Sequence, residues 1–179
     1  MANEHIAALK NVALCRALSA PELDAIGAIA EARTIAAGQD LFRESDPGDG
    51  LFLVIAGEVS VIKRGAGSEH SLARLGAGGV LGEMSLVTAE PRSATCRALA
   101  ETRVLFLPAA RFRGMLDAGS IAAHKIVAAI AEVLARRLAT MNGMVLDFAE
   151  KPAAAAGSRS PLKTQDLREL HRTMQVWSF

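Results

Sequence analysis

Hydrophobic and polar positions along the chain follow first a helical rhythm, then a strand rhythm, then a helical rhythm again. Residues 5–30 read as helix. The stretch is broken at Ser19-Ala20-Pro21-Glu22, where Ser19 can cap and Glu22 holds the reciprocal capping-box position. Two short helices are therefore expected at the start. From Thr34 short apolar runs are punctuated by turn residues: 40–43, the turn Asp46-Pro47-Gly48-Asp49, 51–55, Gly57-Glu58, then 59–63. Breaks at Gly65-Ala66-Gly67-Ser68 and at Gly76, Gly78 and Gly79 precede two more strand candidates, 94–98 and 102–107. Short strands at this spacing predict antiparallel hairpins closed into a barrel or sandwich. Glycines 38, 48, 57, 78 and 79 read as turn formers, and Phe42, Phe52, Phe106 and Phe112 as core of that unit.

After Pro108 the helical rhythm returns, with a short helix over 109–116 and one proline-free helical run from 120 to about 148. Val127, Ile130, Leu134, Leu138, Met141, Val145 and Phe148 recur at spacings of three and four, the seam of a helix packed on another helix. A homodimer through this helix is expected, because the helix outlasts a small barrel at about 1.5 Å rise per residue. The competing reading is a ridge that only covers the domain's own barrel. Lys151-Pro152 through Ser160-Pro161 reads as a linker, followed by an amphipathic tail with Leu167, Leu170, Met174 and Trp177 on one side. The organisation is thus residues 1–30 as N-terminal helices, 31–112 as the β unit, 113–148 as helices including the long one, and 149–179 as linker and tail.

Composition narrows the function classes. The chain has 179 residues, enough for one domain and an appendage, with 51% hydrophobic and 22% charged residues. No apolar run approaches the roughly 20 residues of a membrane span. There is no leader-like start, and the two cysteines, Cys15 and Cys96, stand far apart, so a cytoplasmic protein without disulfides is expected. A net charge of +1 offers no global attraction for nucleic acid. His5, His70, His124 and His171 lack metal-ligand spacing and read as surface histidines, and no nucleophile stands beside an evident base. Neither a metal nor an enzymatic activity is expected.

The chemistry concentrates in Gly82-Glu83-Met84-Ser85-Leu86-Val87-Thr88-Ala89-Glu90-Pro91-Arg92-Ser93-Ala94-Thr95. A carboxylate accepts hydrogen bonds from sugar hydroxyls, and an arginine fork matches phosphate oxygens while staying charged. Glu83 and Arg92 together suit a sugar phosphate. A helical turn over 84–87 would add backbone amides, Gly82 permits close approach of the backbone, and Ser93 offers a hydroxyl. The competing reading is a Glu83–Arg92 ion pair that only pins a loop.

This segment resembles the phosphate-binding cassette of the cyclic-AMP receptor protein superfamily and of cyclic-nucleotide-dependent kinase regulatory subunits. The resemblance extends over Leu41-Phe42-Arg43-Glu44, Asp46-Pro47-Gly48-Asp49, 51–59 and the long helix with Arg136-Arg137-Leu138, roughly the first 148 residues. It implies an α+β fold: an antiparallel β-roll (a double-stranded β-helix, jelly-roll-like) of eight strands, flanked by N-terminal helices and a long C-terminal helix. It further implies Glu83 on the ribose 2′-hydroxyl, Arg92 on the cyclic phosphate, and a ligand site built from Gly82, Glu83, Met84, Ser85, Arg92, Ser93, Ala94, Arg137 and Asn142. Where the receptor protein's partner helix presents Thr and Ser to the base, this chain has Met141 and Asn142, with Thr140 nearby; Asn142 both donates and accepts. Cyclic AMP is the favoured ligand, cyclic GMP the alternative. Trp177 is a candidate lid over the base, or else an apolar anchor for the tail.

Only 31 residues follow Phe148, too few for the helix-turn-helix domain that transcription factors of the superfamily carry, so direct DNA binding is not expected. Two isolated cysteines do not suit an iron–sulphur cluster, which takes about four ligands. The expected function is a cyclic-nucleotide sensor that signals to a protein partner through the long helix and tail. The alternatives are a scaffold dimer that binds nothing, and a regulatory fragment of a longer transcription factor, channel or enzyme.

Overall fold

The computed structural model describes the backbone of residues 2–65 and 68–150, and the side chains of 6–65 and 68–141. Asn142, Val145 and Phe148 of the long helix therefore have no described side chains, and the linker and tail from 151 onward, Trp177 included, lie outside the described residues.

The N-terminal segment forms α1 (Ala2–Leu9), a 3₁₀ turn (Ala13–Cys15) and α2 (Ala20–Ile29). The start of α2 follows the expected capping box: the Ser19 amide donates to Glu22 Oε2 at 2.7 Å, and Pro21 occupies the first turn. Eight strands follow: β1 (Glu31–Ile35), β2 (Asp40–Phe42), β3 (Gly50–Ala56), β4 (Val59–Arg64), β5 (Glu69–Leu75), β6 (Val80–Leu81), β7 (Thr95–Ala98) and β8 (Thr102–Pro108). A short helix, α3 (Glu83–Thr88), interrupts them between β6 and β7, and α4 (Ala109–Asp117) and α5 (Ile121–Glu150) close the described chain. The strands make two antiparallel sheets, ordered β1-β8-β3-β6 and β2-β7-β4-β5. This is the β-roll flanked by helices that the sequence implied.

Strands β3 and β8 are buried on both faces, which is why they read as continuous apolar runs rather than alternating ones. Leu51, Leu53, Leu105 and Leu107 point to a helix-side core, where they meet Leu9, Leu23, Ile26, Phe112, Ile126 and Ile130. Phe52, Val54, Val104 and Phe106 point into the roll, together with Val59, Leu75, Leu81 and Cys96. Phe112 thus belongs to the helix-side core and not to the roll, a correction to the sequence reading: as the fourth residue of α4 it faces back toward α5 and the sheet. Lys125 of α5 fastens the N-terminal helices by donating to Glu22 Oε2 at 2.8 Å and to Ala17 O at 3.1 Å.

The expected seam of α5 divides. Ile130 is buried in the domain's own core, Val127 and Leu134 pack partly against it, but Leu138 and Met141 are 60% and 53% exposed. The first half therefore covers the domain itself, as the competing reading had it, and Leu138 and Met141 keep more than half of their surface free of the described residues.

Candidate functional site

Gly82 turns the chain from β6 into α3. Its φ of +79° is a left-handed conformation, and a Cβ there would sit 2.1 Å from Arg92 Nη1, so glycine is needed both for the turn and for the arginine behind it. A second left-handed residue, Ala89, ends α3, after which the chain runs back past the loop before β3. That loop grips the backbone of Arg92 on both sides: the Arg92 amide donates to Asp46 O at 2.8 Å, and the Ser45 amide donates to Arg92 O at 2.9 Å. Gly48, expected to be a turn former, does not have a left-handed φ; it is needed because a Cβ there would lie 2.3 Å from Ser85 Cβ of α3. Among the other expected turn glycines, Gly38, Gly57 and Gly78 do have positive φ.

Arg92 is 2% exposed. Its Nη2 donates to Asp49 Oδ1 at 2.5 Å and to Gly50 O at 2.7 Å, its Nη1 donates to Gly82 O at 3.2 Å, and its guanidinium lies 4.2 Å from the centroid of the Phe42 ring. The Nε–H is buried and has no hydrogen-bond partner among the described residues. Glu83, 6% exposed, accepts from Nη1 of Arg137, which arrives from α5. Glu83 and Arg92 are thus not each other's ion-pair partners. Each has a partner from a separate element, and both remain beside the same cavity.

That cavity has a volume of about 340 Å³, within the usual size range of small-molecule sites. Eight of the nine residues singled out from the sequence line it: Gly82, Glu83, Met84, Ser85, Arg92, Ser93, Ala94 and Arg137. The ninth, Asn142, is the one whose side chain is not described. Sequence reasoning missed the apolar wall, Val61, Leu72, Leu75 and Cys96, and one cation, Lys63. It also missed Asp49 as the carboxylate behind Arg92, since nothing local links two residues 43 positions apart. Burial, and after it the neighbouring Glu83 charge, push the Cys96 thiol well above its ordinary pKa, so this wall carries a neutral thiol at neutral pH. The cavity thus presents a carboxylate, guanidinium groups and an apolar wall together. Among the described residues no group of three or more His, Cys, Asp and Glu is placed to hold a metal ion.

The family model for the cyclic nucleotide-binding domain matches residues 32–118. The cyclic AMP receptor protein of Thermus thermophilus is 31% identical over 165 residues, a match covering 90% of this chain and 74% of that protein. A cyclic nucleotide-gated potassium channel of Mesorhizobium japonicum is 40% identical over 82 residues, covering 46% of this chain but only 21% of the channel. Among solved structures, a cyclic nucleotide-binding domain from Methylobacillus flagellatus superimposes with a TM-score of 0.70 at 25% identity, covering 89% of this chain and 86% of that one. Among the described residues no single helix is long and apolar enough to cross a membrane. The chain belongs to the cyclic nucleotide-binding domain family, as a regulatory domain of the cyclic-AMP receptor protein type.

Proposed function

We propose that the chain is a cyclic-AMP sensor in which Glu83 receives the ribose 2′-hydroxyl, Arg92 holds the cyclic phosphate, and α5 carries the signal to a protein partner. The observation that supports this most is the pair of buried, opposite charges at one cavity, Glu83 and Arg92, each steadied by a different element. Gly82, Met84, Ser85, Ser93 and Ala94 line the rest of the cassette side, and Arg137 gives the read-out, because a ligand on Glu83 competes for the carboxylate that α5 now holds. Residues 31–112 are then the binding unit, 113–148 the moving one and 149–179 the effector segment. Cyclic AMP is favoured over cyclic GMP on the likeness to the Thermus receptor protein, with Asn142 as the base contact. Two free thiols, both buried, support a cytoplasmic setting.

A homodimer forms through the second half of α5, in this reading, by covering Leu138 and Met141. Calorimetric titration of cyclic AMP and cyclic GMP tests the core of the proposal. Saturable binding of either supports it, tighter binding of cyclic AMP fixes the base preference, and silence from both leaves a scaffold.

A further inference from the structure

The cavity is lined by three cations, Lys63, Arg92 and Arg137, against a single carboxylate, Glu83. Arg137 engages Glu83, and Arg92 engages Asp49. Lys63 is the cation that neither the cassette motif nor the family resemblance assigned. It lies on β4 two positions beyond Val61, so strand alternation puts both on the cavity face. The register pairs Val61 with Cys96 and Ile62 with Thr95, which brings Lys63 beside the end of the cassette. There its Nζ donates to Ser93 O at 2.7 Å and to Glu44 Oε1 at 2.5 Å, while the side chain remains 46% exposed.

We propose that Lys63 is a second cationic contact for the phosphate of the bound ligand, acting alongside Arg92. The inference rests on the cyclic-nucleotide reading of the cavity. Arg92 spends three of its five N–H groups on Asp49, Gly50 and Gly82, both of those on Nη2 among them, which leaves the buried Nε–H and one Nη1–H. Each edge of the fork includes Nη2, so neither keeps two free donors for the two-pronged grip an arginine can give, and a cyclic phosphodiester presents two free anionic oxygens. Lys63 has three donors, two of them engaged, on a flexible stem that can reach the second oxygen while its carbonyl contact one residue from Arg92 is kept. The phosphodiester is common to all cyclic nucleotides, so this contact strengthens binding without choosing the base.

The test is calorimetric titration of cyclic AMP and cyclic GMP into the wild type and the Lys63→Met, Lys63→Gln, Lys63→Arg and Glu44→Gln variants at two ionic strengths, with melting curves to confirm folding. The Met and Gln variants are expected to weaken both nucleotides by one common factor, about three- to tenfold. The Arg variant recovers most of that loss, and wild-type affinity falls more steeply with salt than that of Lys63→Met. Glu44→Gln separates a ligand contact from a structural clasp: releasing Lys63 from Glu44 leaves affinity equal or tighter if Lys63 binds phosphate. Equal affinity of folded Lys63→Met and wild type, unequal losses for the two nucleotides, or weakening in Glu44→Gln would each overturn the proposal and leave the nucleotide site standing. A folded wild type that binds neither nucleotide removes the site reading and this inference together.

Discussion

Strands β3 and β8 separate two interiors of opposite character. On the helix side, Leu51, Leu53, Leu105 and Leu107 meet α1, α2, α4 and α5 in a cluster made entirely of buried hydrophobic residues. On the other side, Phe52, Val54, Val104 and Phe106 share the roll with a smaller apolar cluster, and here the chain also buries Glu83 and Arg92. The helix-side core gains free energy from every residue it holds. The roll buries charge, which is expensive to desolvate and is weak support for stability even when paired. The first interior stabilises the domain, and the second is kept polar where a ligand can use it.

The comparison breaks most visibly at Phe112, fully buried on the helix side. Phe112→Ala is expected to destabilise the domain by about 3–5 kcal/mol in denaturant unfolding, with nucleotide affinity per folded molecule unchanged. Arg92→Ala should do the reverse: affinity for cyclic AMP falls about 100-fold or more in titration, with a smaller loss of melting temperature than Phe112→Ala. Asp49→Asn keeps the shape but removes the charge behind Arg92, and about three- to tenfold weaker binding is expected, with little change in unfolding.

The smallest effect is on acid stability, from the ion pairs on the roll's outer sheet. Burial alone would raise the Asp40 carboxyl, but hydrogen bonds from Arg97 and Arg43 outweigh it and hold the group below its ordinary value; the Lys63 hydrogen bond does the same for Glu44. Carboxylates lowered in the folded state stabilise above their unfolded pKa, and that contribution is lost as pH falls through the folded value. The denaturation midpoint should therefore hold from neutral pH down to the ordinary carboxylate range and decline below it, and Asp40→Asn should flatten that decline.

Legibility in the sequence follows the same division. Strands β3 and β8 stood out because burial on both faces makes them apolar runs, and β4 and β7 because short, partly apolar segments stand between turn residues. Strand β1, Glu-Ala-Arg-Thr-Ile, is half-buried and mostly polar, so no apolar run marked its residues before Thr34; β5 is a polar edge strand, and β6 is two residues inside a glycine cluster. The cassette was legible because its residues are contiguous. Asp49, read only as part of a turn, reaches Arg92 through the fold, whereas Lys63 had a signal in the Val59-Val61-Lys63 alternation that went unread. The seam of α5 looked uniform because periodicity does not say which half of a ridge finds its partner within the domain.

The most direct test of the assignment at the centre of this account is a thermodynamic cycle at Glu83: affinities of cyclic AMP and its 2′-deoxy analogue for the wild type and for Glu83→Gln. If Glu83 holds the ribose 2′-hydroxyl, removing either partner weakens binding about tenfold, and removing the second adds almost nothing. Losses that simply add, or a wild type indifferent to the missing hydroxyl, would contradict it.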